Sequence, residues 1–186
     1  MEHIKSKETL RNFVGDLVDN EQFNILFCDE VHYKTFVFSN STTYLQRCIL
    51  LVDDYEGMCD YIEYYLSFDN NEVNKISNNG WTAIFFLIYC KKKINKIFNI
   101  LIHAGANINV MSKNEYTPLM IALLNENMDF AKLLILEGAD VFNIVSWEGY
   151  TAYFYLPKLI KYELGINLET RTISALQHKN VKASKK

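Results

Sequence analysis

The stretch that decides the fold runs from residue 114 to residue 143 and reads NEYTPLMIALLNENMDFAKLLILEGADVFN. Thr117 followed by Pro118 is typical of a helix start, because threonine caps the first turn and proline is tolerated there. Gly138 is typical of a helix end, where the backbone turns left-handed. Apolar residues recur between these signals at helical spacing: Ile121, Ala122, Phe130, Leu133 and Leu134. The stretch therefore predicts two helices that bury one face against neighbouring structure.

The same pattern recurs on both sides of this stretch. Thr82, Thr117 and Thr151 are separated by 35 and 34 residues, and Gly105 precedes Gly138 by 33. A single unit of this length cannot bury its own apolar stripe. The period therefore predicts stacked helix-turn-helix units.

The period, the sequence Thr117-Pro118-Leu119 and the sequence Gly138-Ala139-Asp140 resemble the ankyrin repeat. This resemblance implies an all-α fold, an ankyrin-repeat solenoid of helix-turn-helix units with hairpin loops and degenerate terminal repeats. The chain then divides into an N-terminal helical cap or degenerate repeat, a repeat region and a basic C-terminal tail. The predicted bounds are 1–42 for the cap, 43–169 for the repeats (about 43–76, 77–111, 112–145 and a shortened 146–169) and 170–186 for the tail.

The chain departs from the ankyrin pattern in two ways. Two extra residues separate Thr82 from Gly105, and we expect them to lengthen the loop around Lys91–Lys93. Where the family pattern has a histidine after Thr-Pro-Leu, this chain has Phe85, Met120 and Phe154. Apolar packing is expected to replace the hydrogen bonds of that histidine.

Composition restricts the function classes. The chain of 186 residues is 49% hydrophobic and 22% charged, which is typical of a globular protein. Its net charge is −3, with 14 acidic and 5 basic residues in 1–72 against 8 acidic and 14 basic in 73–186. The negative net charge argues against a nucleic-acid binder. Lys91–Lys93 fits a solvated loop, with a nucleic-acid patch or nuclear signal as the alternative.

Nothing in the sequence indicates a secretory signal or a membrane span, so we expect no membrane association and a cytoplasmic location, with the nucleus as an alternative. The four cysteines form no C-x-x-C pair. We expect them to be structural thiols, with a melting temperature insensitive to reductant and chelator. They are Cys28, Cys48, Cys59 and Cys90.

No pattern of catalytic or cofactor-binding residues is present. The four histidines stand apart from any nucleophile pattern, and no glycine-rich phosphate loop occurs. Asp53-Asp54-x-Glu56 lacks the spacing of a calcium loop and fits a solvated acidic turn. The prediction is a protein that is not an enzyme, with no catalytic, cofactor-binding or metal-binding residues.

Ankyrin-like folds bind partners through hairpin tips, and the resemblance places nine partner-binding residues there. Trp81, Tyr116 and Tyr150 each precede a capping threonine, so we expect them to form a ladder on one side of the repeats. Replacing Trp81 or Tyr116 with Ala is then expected to weaken partner affinity by about 2 kcal/mol. The alternative is that these rings pack back on neighbouring hairpins. The nine residues are Asn79, Trp81, Met111, Lys113, Asn114, Tyr116, Trp147, Glu148 and Tyr150.

Two functions follow from the resemblance. The first is a non-catalytic protein–protein interaction module, similar to the ankyrin proteins of poxviruses or intracellular bacteria. Its partner would be a host protein, as for an antagonist of innate immune signalling or a host-range factor. The second is a substrate adaptor for a ubiquitin ligase, because residues 156–186 begin like the shortened F-box of poxviral ankyrin proteins.

Overall fold

The computed structural model describes residues 42–54, 57–68, 70–78 and 80–173. These belong to two compact units, 1–107 and 108–186. The predicted N-terminal cap, apart from Thr42, and the tail beyond residue 173 lie outside the described residues, as does Cys28.

In its described residues, the first unit contains two helical pairs. Its helices are α1 (Tyr44–Leu50), α2 (Met58–Phe68), a 3-10 helix (Asn70–Asn74), a second 3-10 helix (Ala83–Tyr89) and α3 (Ile94–His103). The described part of the second unit contains two further pairs and a small hairpin. Its elements are α4 (Pro118–Leu124), α5 (Met128–Leu136), α6 (Ala152–Tyr155), α7 (Lys158–Glu163), β1 (Ile166–Asn167) and β2 (Thr172–Ile173).

The predicted helix starts are confirmed. Thr82, Thr117 and Thr151 are the N-cap residues of the 3-10 helix Ala83–Tyr89, of α4 and of α6. Thr43 caps α1 in the same way, so the divergent first repeat begins with the same signal. The predicted ends are confirmed as well, since Gly105 (φ 85°) and Gly138 (φ 98°) follow α3 and α5 in the left-handed region.

The two extra residues between Thr82 and Gly105 are divided between a loop and a helix. The loop before α3 has four residues, 90–93, against three, 125–127, before α5. Helix α3 has ten residues and α5 has nine. The expectation that both extra residues lie in the loop is therefore half wrong, because one of them extends the helix.

First helices of successive repeats pack on each other within each unit. In the first unit α1 packs against the 3-10 helix Ala83–Tyr89, and in the second unit α4 packs against α6. The helix Ala83–Tyr89 is tighter than the α-helix found at the same position in the next repeat. Its residues 83–87 are all buried, and five of the seven residues of α4 are buried too, so burial alone does not account for the tighter winding.

Gln46 connects the first repeat to the turn that opens the second. Its side chain is completely buried, and its Nε2 donates hydrogen bonds to the carbonyl oxygens of Lys75 (3.2 Å) and Trp81 (2.9 Å). Its Oε1 accepts a hydrogen bond from the N–H of Thr43 (3.0 Å), which closes the capping box of α1. One buried amide thus satisfies three backbone groups of two repeats.

Asparagines also join successive repeats at a regular spacing. Asn74 donates to the carbonyl of Gly105 and accepts from the N–H of Asn107, both at 2.8 Å. In the second unit, Asn109 accepts from the N–H of Asp140 at 2.8 Å. Asn143 occupies the next equivalent position and accepts from Arg171 at 3.0 Å. The spacing from Asn74 to Asn109 to Asn143 is again 35 and 34 residues.

The shortened last repeat ends in a hairpin that sequence patterns did not predict. Strands β1 and β2 pair antiparallel, with Ile166 opposite Ile173 and Asn167 opposite Thr172. The predicted boundary at residue 169 lies in the turn of this hairpin. Among the described residues, no helix is long and apolar enough to cross a membrane.

Cys48, Cys59 and Cys90 are buried and take part in no disulfide. Burial is the main cause that raises the pKa of Cys90 to about 12, with smaller contributions from Asp53 and Cys59. Such a thiol carries almost no thiolate at neutral pH, as expected of a structural cysteine.

A matched pair of threonines gives a stability prediction. The Thr117 hydroxyl accepts a hydrogen bond from the N–H of Met120 (3.3 Å), whereas no group among the described residues bonds to the buried Thr82 hydroxyl. Thr117→Val is expected to lower the free energy of unfolding by about 1 kcal/mol, because a cap is lost. Thr82→Val is expected to leave it unchanged or raise it, because an unsatisfied buried hydroxyl is removed.

Urea titration of the two valine variants measures this difference directly. An equal loss of stability in both would contradict it, since both carry the same chemical change and only one breaks a hydrogen bond.

Candidate protein-binding surface

Three tight turns of the same construction precede the capping threonines. In each, the N–H of a buried serine donates to the carbonyl of the aromatic residue four positions later, at 2.8, 2.9 and 2.9 Å. The serine–aromatic pairs are Ser77–Trp81, Ser112–Tyr116 and Ser146–Tyr150. These serines are missing from the predicted site, although their spacing of 35 and 34 residues was visible in the sequence.

A left-handed residue stands directly before each of these aromatic residues. The φ angles are 83° at Gly80, 58° at Glu115 and 82° at Gly149. Glycine adopts this backbone without steric cost, and glutamate does so rarely. The left-handed residue ends the turn. The aromatic residue that follows it is the last residue before the capping threonine of the next helix.

Trp81, in the first unit, packs inward. Its ring stacks on Phe85 with centroids 5.3 Å apart and meets Phe86 edge-on at 5.6 Å. Both phenylalanines are completely buried, and Trp81 itself is half-buried. The geometry at this position is that of packing on its own repeat, and its predicted role in partner binding stays a prediction.

In the second unit, a hydrogen bond joins two neighbouring turns. The indole Nε1 of Trp147 donates to the hydroxyl of Tyr116 at 2.9 Å. Tyr116 is half-buried, whereas Trp147 is 64% exposed. The hydrogen bond therefore favours one orientation of a large ring that remains open to solvent.

Tyr150 belongs to a cluster of rings at the base of the last turn. It stacks on Phe154 at 4.1 Å, and Tyr155 meets the two rings edge-on at 6.2 and 5.4 Å. The Tyr155 hydroxyl donates to Glu148 Oε2 at 2.8 Å. Burial raises the pKa of Tyr155; its hydrogen bond with Ser146 opposes this shift, and Glu148 adds to it. The hydroxyl thus stays protonated as a donor at neutral pH.

We call Tyr116, Trp147 and Tyr150 the aromatic tip. Three other predicted residues, Met111, Lys113 and Asn114, are exposed in or directly before the turn that holds Tyr116, and Glu148 lies in the next turn. Asn79 lies outside the described residues. The predicted ladder from Trp81 to Tyr150 extends over both units and stays a prediction.

Two acidic side chains outside the turns, Asp53 and Asp60, are paired with groups of the protein itself. The Asp53 carboxylate accepts hydrogen bonds from the backbone N–H groups of Lys91, Lys92 and Lys93, which lead into α3. Lys96 forms an ion pair with Asp60. Across the part of the chain that the structure describes, no three His, Cys, Asp or Glu side chains are grouped so that they could hold a metal ion.

Comparison with protein families defines the class. Residues 48–144, just over half of the chain, match the family described as Ankyrin repeats (3 copies). The chain belongs to the ankyrin-repeat family, and the predicted all-α ankyrin fold is confirmed. Ankyrin repeats are non-enzymatic modules that bind other proteins, so protein–protein interaction is the general function of this chain.

Three relatives show where such repeats occur. BCL-6 corepressor-like protein 1 of Homo sapiens is 34% identical over 110 residues, which cover 59% of this chain and 6% of that protein. An ankyrin repeat protein of Borreliella burgdorferi is 26% identical over 149 residues, 72% of this chain and 67% of its own length. An ankyrin repeat protein of variola virus is 30% identical over 145 residues, 74% of this chain and 25% of its own length. The chain thus spans a small part of the human and viral relatives.

Proposed function

We propose that this protein is a non-catalytic recognition module that binds a partner protein through the aromatic tip. The observation that supports this most is the indole of Trp147, which is exposed and yet held in one orientation by Tyr116. Large aromatic side chains dominate binding energy in protein interfaces. A ring that is already oriented loses little conformational freedom when a partner covers it.

The polar atoms beside the tip are paired within the chain. The Trp147 N–H, the Tyr116 hydroxyl and the Tyr155 hydroxyl all take part in internal hydrogen bonds. A partner that covers Trp147 and Tyr155 therefore buries apolar surface while the indole N–H and the Tyr155 hydroxyl keep their acceptors. This arrangement suits an interface whose centre is apolar and whose rim carries the exposed Lys113 and Asn114.

A host protein is the partner that we propose. Similarity to an ankyrin repeat protein of variola virus over 74% of the chain supports this choice. A host target implies that the protein acts in the host cytoplasm. Antagonism of innate immune signalling or a host-range role would be the biological outcome.

The test uses affinity capture from host-cell lysate with the full chain, the variant Trp147→Ala and the matched control Leu124→Ala. Leu124 is also an exposed apolar residue of the second unit, at the end of α4. Proteins retained by the wild type and by the control, but lost with Trp147→Ala, are the expected partners. For such a protein, calorimetry is expected to show about 30-fold weaker binding of Trp147→Ala, which corresponds to about 2 kcal/mol.

Two results would contradict the proposal. One is an identical set of captured proteins for all three forms. The other is a partner whose affinity for Trp147→Ala equals that for the wild type although circular dichroism shows both to be folded.

The ubiquitin-ligase adaptor remains a prediction. In the described part of residues 156–186, Leu156, Ile160 and Leu164 are buried. No specific contact favours recruitment of a ligase, and a pull-down with the ligase's adaptor subunit is the experiment that would support it.

A further inference from the structure

The last repeat exposes side chains that the preceding repeat of the same unit buries. Three residues after the capping threonine stands Met120 in one repeat and Phe154 in the next. Met120 is completely buried in α4, against which α6 packs, whereas Phe154 in α6 is 60% exposed. An aromatic ring thus faces solvent at a position that packing otherwise covers.

Two further positions show the same contrast. Three residues before the glycine that ends the second helix, Ile135 is completely buried and Tyr162 is 86% exposed. Three residues after that glycine, Val141 is 1% exposed and Leu168 is 51% exposed. Leu159 is also exposed and lies one turn before Tyr162 on α7. We call Phe154, Leu159, Tyr162 and Leu168 the end face.

The end face is large enough to form the centre of an interface. Fully exposed aromatic side chains present about 200 Å² each, so Phe154 and Tyr162 alone offer about 300 Å² of exposed surface. The two leucines raise this exposed total, polar atoms included, to roughly 500 Å². A standard interface buries about 800 Å² on each partner, including its polar rim.

The charges of this region suit contact between identical surfaces. Residues 145–173 contain three acidic and three basic side chains, so their net charge is zero, whereas the whole chain carries −3. Two copies that meet here are therefore not repelled by like net charge. Like charges that face each other across an interface would otherwise oppose association.

From these observations we propose that the end face is a self-association site, on which the end face of a second copy packs about a twofold axis. An apolar surface needs no matching pattern of donors and acceptors, so it can be complementary to itself. Lys158 and Glu169 are exposed and directly precede or follow Leu159 and Leu168 in the sequence, so opposite charges of the two copies can meet beside the apolar residues. This inference does not depend on the partner that we propose for the aromatic tip.

Sedimentation velocity of the full chain, from about 1 μM to about 1 mM, tests the proposal in the range where interfaces of this size associate. The wild type is expected to shift from the mass of a monomer towards that of a dimer as its concentration rises. Tyr162→Lys is expected to raise the dissociation constant at least 100-fold, because each substitution acts on both sides of a twofold interface. Tyr162 is exposed on a helix, so the variant should remain folded.

Leu124→Lys serves as the matched control, because Leu124 is an exposed apolar residue outside the end face. It is expected to dimerise like the wild type. A wild type that stays monomeric at every concentration would overturn the proposal, as would a dimer that Tyr162→Lys leaves intact. Phe154 of the end face stacks on Tyr150 of the aromatic tip, so the two surfaces adjoin. Capture of partners in the Trp147→Ala experiment is a separate measurement, which distinguishes failure of one proposal from failure of the other.

Discussion

Replacing Gln46 with leucine is expected to lower the free energy of unfolding by about 2 kcal/mol. Leucine fills a similar volume but cannot reproduce the bonds to Thr43, Lys75 and Trp81. Each buried backbone group left without a partner costs about 1–3 kcal/mol. Trp81 retains other donors, because its carbonyl also accepts from the N–H and hydroxyl of Ser77. The loss should therefore be concentrated at the half-buried Thr43, because water can reach the exposed Lys75.

Urea denaturation measures this loss, and Asn125→Leu is the control. The Asn125 amide also donates to a backbone carbonyl, that of Ile121, but at an exposed site where water can replace it. Its change should stay within about 0.5 kcal/mol. If Gln46→Leu were as stable as the control, the buried amide would contribute nothing net to holding the first repeat to the second.

The second prediction is that the two tryptophans of the chain contribute unequally to the free energy of unfolding. Trp81→Ala is expected to lower the free energy of unfolding by about 2–3 kcal/mol, because the ring packs on the buried Phe85 and Phe86. Trp147→Ala should lower it by less than about 1 kcal/mol, because its ring is mostly exposed and only one hydrogen bond is lost.

Thermal unfolding followed by circular dichroism distinguishes these outcomes. A clear fall in melting temperature for Trp81→Ala alone would support a packing role for Trp81 and a surface role for Trp147. Equal melting temperatures for the two variants would contradict this prediction, because the half-buried Trp81 would then contribute no more to stability than the exposed Trp147.

Much of the architecture was predictable because it depends on backbone signals that are local in sequence. Thr117 and Gly138 mark the start and end of a helical pair through their own conformational preferences. The register of the repeats follows from the recurrence of such signals. Their spacing also located the turns that carry Tyr116 and Trp147.

Features that depend on packing were not predictable in this way. Whether an aromatic ring before a threonine faces inward or outward depends on which neighbours lie beside it. Trp81 meets Phe85 and Phe86, whereas Tyr150 stacks on the exposed Phe154. The role of Gln46 could not be predicted either, because the carbonyl groups to which it donates are 29 and 35 residues away in the sequence. The serines of the turns, by contrast, were overlooked even though their spacing repeats.

The contact between Asp53 and the loop before α3 bears on how the chain resists digestion. Three consecutive lysines offer trypsin several cleavage sites, and exposed loops are where proteases nick folded proteins first. A protease must draw the loop into its own active site, which requires the backbone amides of Lys91–Lys93 to leave the carboxylate that holds them. A single acidic side chain, contributed from the preceding repeat, thus holds the backbone at three consecutive lysines in place, and this contact must break before trypsin can cleave there.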